Sequence, residues 1–116
     1  MQEEPLWKTD PEKWLEQVLS CAQKTRSVQL EAFGDLPEAE EVLESLDPWL
    51  FGEKCVLPAL ILVAKSGSLR PGDGMNLATV LHRSPGWGAN VVSQGIEIPE
   101  PIEFYKFLME KEGKDE

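Results

Sequence analysis

A chain of 116 residues is the size of one ordinary domain and is too short for two separate hydrophobic cores. Its apolar content of 41% is enough to build a core, and the apolar residues are patterned, which excludes a disordered chain. The formal net charge of −10 opposes direct binding to nucleic acids and to anionic membranes, because both depend on cationic side chains.

The charge is unevenly distributed along the chain. Residues 1–53 carry thirteen acidic side chains and four basic ones, whereas residues 54–96 carry four basic side chains and one acidic one. Residues 97–116 are acidic again, with seven acids and three bases. An acidic surface favours solubility and attracts basic partners. Two interpretations therefore stay open: a plain solvated surface, or a surface directed to a basic protein partner.

The compartment is predicted from the N-terminus and the cysteines. Residues 1–5 contain no basic patch followed by an apolar stretch, so we expect no signal peptide. The longest apolar run, residues 55–64, is shorter than the about 20 residues that a membrane span needs. Cys21 and Cys55 are expected to be buried, reduced thiols, because disulfide-stabilised domains usually carry more cysteines and free cysteines are often buried. A disulfide between them, which requires Cα atoms within about 7 Å, stays open. These features predict a cytoplasmic protein without a membrane segment.

Two helix start signals share one layout, in which a capping side chain precedes a proline and a glutamate. They are Thr9-Asp10-Pro11-Glu12 and Asp35-Leu36-Pro37-Glu38. They predict helices over residues 10–23 and 37–46, and apolar residues recur in both at the spacing of three to four that puts them on one helix face.

Between these helices, residues 27–33 alternate polar and apolar side chains, which predicts a half-buried strand. Residues 47–52 are typical of a short turn that places Trp49 and Phe51 in the core. Residues 56–65 fit either a buried strand or a short buried helix. Pro58 near the start and Gly67 just after the end favour the helix.

The second half of the chain is predicted as a loop over residues 66–74, a helix over 75–83, a strand over 91–98 and a last helix from Pro101. Residues 1–8 and 110–116 are expected to fray. The predicted architecture is a single compact α+β domain of residues 1–116, with four to five helices and a small sheet of two or three strands.

A glycine-rich segment, Arg70-Pro71-Gly72-Asp73-Gly74, precedes a predicted helix. Backbone amides at such a helix N-terminus can bind an anion. The spacing matches no known phosphate-binding motif, and a tight turn with Asp73 as helix cap explains the same residues. Both interpretations stay open.

His82 is the only histidine, and Arg83 follows it. A general base must face a nucleophile or a proton to be moved, and no local signature pairs His82 with a cysteine, serine or acid. One histidine and two distant cysteines do not supply the four ligands of a zinc site. We therefore expect no catalytic residue, no metal and no cofactor.

Trp7 and Trp87 lie outside the predicted apolar faces of the helices. Exposed tryptophans are typical anchors of protein interfaces, whereas buried ones cover the core. Together with Arg70, Asp73, His82 and Arg83 they form the set of candidate binding residues.

Three functional hypotheses follow. The first is a non-enzymatic interaction protein, such as an adaptor, an assembly factor or an inhibitor of the immunity type, that binds a basic partner and possesses no catalytic site. The second is a small enzyme or phosphate-binding regulator that uses residues 66–96. The third is an acidic mimic of nucleic acid. Homo-oligomers are compatible with each of the three.

Overall fold

The computed structural model describes residues 4–67 and 69–114. All regular structure within these ranges is helical, in eight helices without a strand. The helices are α1 (Leu6–Thr9), α2 (Pro11–Phe33), α3 (Ala39–Leu46), α4 (Pro48–Phe51), α5 (Leu57–Ser66), α6 (Pro71–Arg83), α7 (Trp87–Ser93) and α8 (Pro101–Lys114). The predicted α+β class, with a small sheet, is therefore wrong.

The first predicted strand, residues 27–33, is the last part of the long helix α2. No glycine or proline interrupts the chain between residues 23 and 27, and the segment is rich in glutamine, leucine, glutamate and alanine, which favour helix. Because no strand lies beside it within the described residues, its backbone groups find their partners along the helix instead.

The second predicted strand, residues 91–98, is also wrong. Its first residues belong to α7, in which Trp87 and Val91 lie four residues apart and are both buried on one face. Packing of this face overrides the β-preference of the pair Val91-Val92. The helix ends before Gly95, which has a φ of 81°, and the chain then has no regular structure until Pro101.

Several helix boundaries follow the predicted signals. Asp10 caps α2, since its side chain accepts a hydrogen bond from the Lys13 amide at 3.2 Å. Residues 57–66 form the helix that Pro58 and Gly67 favoured, and Gly67 ends it with a φ of 67°. In contrast, α3 begins at Ala39, two residues after the predicted start, and α6 begins at Pro71, inside the predicted loop.

The ends of the chain are helical as far as they are described. Residues 6–9 form α1 and residues 101–114 form α8, so both helices include positions predicted to fray. Fraying of these turns in solution stays a prediction. The predictions for residues 1–3, 68, 115 and 116 lie outside the described residues.

Helix α2 organises the packing, because it contacts α1, α3, α4, α5 and α7. On the other side of the core, α6 packs against α7 and α8. Aromatic rings connect the two sides. The centroid of the Phe104 ring lies 5.1 Å from that of Trp14 and 5.5 Å from that of Trp7, and both pairs are arranged edge to face. The Trp14 indole also donates a hydrogen bond of 2.9 Å to the carbonyl of Glu97.

Candidate functional site

Arg70 and Asp73 lie at the N-terminal end of α6. Arg70 is the residue before the first helical turn, and both side chains line an open hollow of about 430 Å³ together with Tyr105 and Met109. Two carboxylates, those of Asp73 and Glu112, line the same hollow. A bound anion would therefore meet negative charge beside the guanidinium.

His82 and Arg83 lie at the opposite end of α6. At 1.5 Å per helical residue, they are about 18 Å from the Arg70 end. His82 Nε2 lies 3.1 Å from the carbonyl oxygen of Pro99, which only accepts hydrogen bonds, so this nitrogen carries a proton. The fold thus does not bring Arg70 and His82 into one cavity.

Trp7 and Trp87 are both buried, with 3% and 0% of their surface exposed. The Trp87 indole donates a hydrogen bond to the carbonyl of Val18 at 3.3 Å. Trp7 packs edge-on against Phe104 and Phe107. Of the two interpretations left open by the sequence, burial over the core is the one observed, so neither indole is an exposed interface anchor.

The two thiols are free. Cys21 is buried among apolar residues, and this desolvation raises the pKa of its thiol, although nearby Lys24 partly offsets the shift. A raised pKa lowers the thiolate fraction at neutral pH and makes the sulfur a poorer nucleophile. The Cys55 thiol donates a hydrogen bond of 3.1 Å to the carbonyl of Leu50.

A buried polar cluster that the sequence did not reveal surrounds Asp47. Its side chain is only 1% exposed, and its Oδ2 accepts hydrogen bonds from Ser84 Oγ at 2.6 Å and from the Trp87 amide at 3.2 Å. Its Oδ1 has no hydrogen-bond partner in the described part of the chain. The cluster joins the α3–α4 junction to the start of α7. The only sign of this cluster in the sequence was the pair Asp47-Pro48, which repeats the Asp-Pro pair of the first predicted helix start.

A second feature is a weakly buried acidic segment, here called the acidic arm and defined as residues 27–46. It comprises the end of α2, the following turn and α3, and Leu43 is its only buried residue. It carries six acids and no base: Glu31, Asp35, Glu38, Glu40, Glu41 and Glu44. None of the six carboxylates forms an ion pair with a residue in 4–67 or 69–114.

The acidic arm also exposes apolar side chains. Val28, Leu30, Leu36 and Leu46 are each 44–56% exposed. Leu36 lines an open hollow of about 350 Å³ at the turn, and Val28 lines another of about 160 Å³ between α2 and α7. Acidic and apolar groups therefore share one surface. The sequence had instead assigned residues 27–33 to a half-buried strand.

A third feature is an apolar groove of about 180 Å³ between α5 and α6. Its apolar lining consists of Val56, Ala59, Leu60, Val63, Leu77 and Val80. Asp73 and Asn76 supply its polar edge. Within the described residues, no helix is both long enough and apolar enough to cross a membrane.

Comparison with protein-family models, with curated proteins and with solved structures finds no match to this chain. The class of protein is therefore defined by the structure alone: a small acidic protein, all-helical in its described part, with a weakly buried acidic and apolar segment beside a well-packed core.

Proposed function

We propose that this protein is a non-enzymatic interaction protein, such as an adaptor, an assembly factor or an inhibitor of the immunity type, that binds a basic segment of a partner protein with its acidic arm. One observation carries the proposal: the arm is hardly buried and combines exposed apolar side chains with six carboxylates that form no ion pair within the described part of the chain.

The charge of the arm favours a basic partner. Six acids without a base within twenty residues produce a negative potential that extends over a Debye length of about 8 Å at physiological salt. Such a potential accelerates the encounter with a positively charged surface and disfavours acidic proteins. Each contact at the rim contributes about 0.2–1 kcal/mol.

The exposed apolar side chains supply the other half of the recognition. Charges at a rim select and orient a partner, whereas the affinity of an interface depends mainly on apolar residues at its centre. Leu36 and Val28 each border a hollow in which an apolar side chain of the partner fits. A basic amphipathic helix presents an apolar face flanked by basic residues and matches this surface.

The test compares three baits, of which the two variants carry the same net charge, in the cell lysate that contains the protein. One is the native chain, the second is the arm variant E38Q/E40Q/E41Q/E44Q, and the third is the control E97Q/E103Q/E110Q/E112Q. Both variants lose four negative charges, but only the first loses them from the arm.

We expect a protein with a basic surface to be retained by the native and control baits, with at least about tenfold less on the arm variant. The retained amount should also fall when the salt concentration is raised. Equal retention on all three baits, or no retained protein, contradicts the proposal.

The alternative of a phosphate-binding regulator finds less support. Its residues are separated along α6, and the carboxylates of Asp73 and Glu112 border the hollow beside Arg70. It stays a hypothesis that a thermal-shift screen tests: stabilisation by a phosphate-bearing metabolite, lost in both Arg70→Ala and Arg83→Ala, would favour it. A nucleic-acid mimic needs carboxylates in long phosphate-like rows, and α3 offers only a short row.

A further inference from the structure

Helix α5 is apolar on all sides over residues 57–64, and only Lys65 and Ser66 in its last turn are polar, although one side of it faces solvent. Residues 56–64, which include the first eight residues of α5, carry no charged side chain. A helix of this composition is normally buried on all sides. Here only Leu57 and Leu60 are buried, against α2, whereas Leu62 is 69% exposed, the largest exposed fraction of any large apolar side chain in the described residues.

The groove between α5 and α6 lies next to this exposed side. Buried Leu60 and Leu77 form part of its wall, and small Ala59 lies between the groove and Leu62 on the α5 surface. Its volume of about 180 Å³ is below the roughly 300 Å³ at which pockets for small-molecule ligands begin. The groove therefore fits a single apolar side chain better than a metabolite.

The charge of this surface selects its occupant. Residues 53–77 carry Glu53 and Asp73 against Lys54, Lys65 and Arg70, which is a net charge of +1 in a chain of −10. A strongly basic or strongly acidic partner therefore gains little electrostatic attraction at this surface. Two copies of this chain repel each other over most of their surfaces, but they meet here with almost no net charge on either side.

We propose that this surface is a homodimer interface, in which Leu62 of each copy inserts into the α5–α6 groove of the other. A projecting side chain and a groove on one patch make that patch self-complementary, as a two-fold symmetric interface requires. Ala59 at the centre lets the two α5 helices approach closely, since the distance between packed helices depends on the side chains at the contact.

The dimer is weak, because one ten-residue helix and one groove provide less than the about 800 Å² per partner of a standard interface. We expect a dissociation constant between about 10 µM and 1 mM. Because the remaining surfaces of both copies are acidic and repel each other, added salt strengthens the dimer. Salt has the opposite effect on binding of a basic partner to the acidic arm, so the two proposals succeed or fail separately.

Sedimentation equilibrium over this concentration range tests the proposal with four chains. They are the native protein, Leu62→Lys, Asn76→Lys at the edge of the groove, and the control Ile102→Lys. Ile102 is 59% exposed on α8, so its variant adds the same charge to an exposed apolar position elsewhere. All three substituted side chains are exposed, and circular dichroism verifies that the variants fold.

We expect the weight-average mass of the native chain and of Ile102→Lys to rise to about 1.5–1.9 times the monomer mass at about 1 mM, and further in high salt. Leu62→Lys and Asn76→Lys should each weaken association at least about tenfold. A native chain that stays monomeric throughout overturns the proposal, as does a Leu62→Lys variant that associates like the control. Unchanged association of Asn76→Lys shows that the groove does not receive Leu62 and also overturns it.

Discussion

The carboxylate of Asp47 joins two parts of the chain that are far apart in sequence. It accepts hydrogen bonds from Ser84 and from the Trp87 amide, and its Oδ2 lies near the backbone of Gly86, where the Gln29 amide also approaches. A buried carboxylate is costly unless its oxygens are paired, and here only Oδ2 is. This single side chain therefore fixes the root of the acidic arm to the start of α7.

At this scale we predict that Asp47→Ala lowers the free energy of unfolding by about 1–3 kcal/mol. The substitution leaves the Ser84 hydroxyl and the Trp87 amide without their charged acceptor, and hydrogen bonds to charged groups are the stronger ones. Urea denaturation measures the change. Asp35→Ala is the matched control, because Asp35 is an exposed acid in the arm, and its effect should be within about 0.5 kcal/mol. Equal effects of both variants would contradict the role of Asp47.

The elements owe their positions to close contacts between helices as well as to their own sequences. At Gly88, an added Cβ would collide with the backbone carbonyl oxygen of Leu81, which cannot move aside as a side chain can. Helix α7 therefore crosses the end of α6 at a distance that only glycine permits. At Gly72, in the first turn of α6, an added Cβ meets nothing within 4 Å.

We predict opposite effects of the same substitution at these two glycines. Gly88→Ala should destabilise the protein by about 1–3 kcal/mol, because it overpacks a contact with fixed backbone. Gly72→Ala should stabilise it by about 0.4–1 kcal/mol, because it restricts the unfolded chain without a collision. Thermal unfolding followed by circular dichroism compares the two variants. Stabilisation by Gly88→Ala would mean that α7 does not approach α6 this closely.

At the scale of the whole molecule, burial is unevenly distributed. The molecule measures 53 × 31 × 22 Å, and its buried aromatic residues belong to α1, α2, α7 and α8. The acidic arm, with Leu43 as its only buried residue, contributes little to this core. Local opening costs least where few apolar contacts are buried. The arm is therefore the part that adapts most readily to a partner.

Hydrogen exchange tests this uneven distribution of burial directly. We predict that amides of residues 39–46 in α3 exchange at least about tenfold faster, relative to their unfolded rates, than amides of residues 74–83 in α6. The comparison is internal, since both are helices of one chain in one sample. Equal protection would indicate that the arm opens only with global unfolding, and binding by an adaptable arm would then lose its physical basis.

The sequence by itself determined the starts and interiors of several helices. Asp10-Pro11 began α2, and the pair Pro58 and Gly67 bounded α5, because caps, prolines and glycines act through bonds to their immediate neighbours. The apolar face with Trp14 and Val18 was read from spacing alone, and both residues are fully buried. The uneven distribution of charge was likewise visible before the fold.

Only the tertiary structure decided the rest. The apolar side chains of residues 27–33 alternate and those of residues 91–98 cluster, as they do in strands. A strand forms only where another strand pairs with it, and the local sequence does not encode that pairing. Arg70 and His82 lie at opposite ends of α6 and are therefore far apart. Long-range packing buries Trp7 and Trp87, whereas it leaves Leu62 exposed. Burial and proximity are properties of the whole chain, so the positions of the acidic arm and of the α5–α6 groove became visible only in the folded molecule.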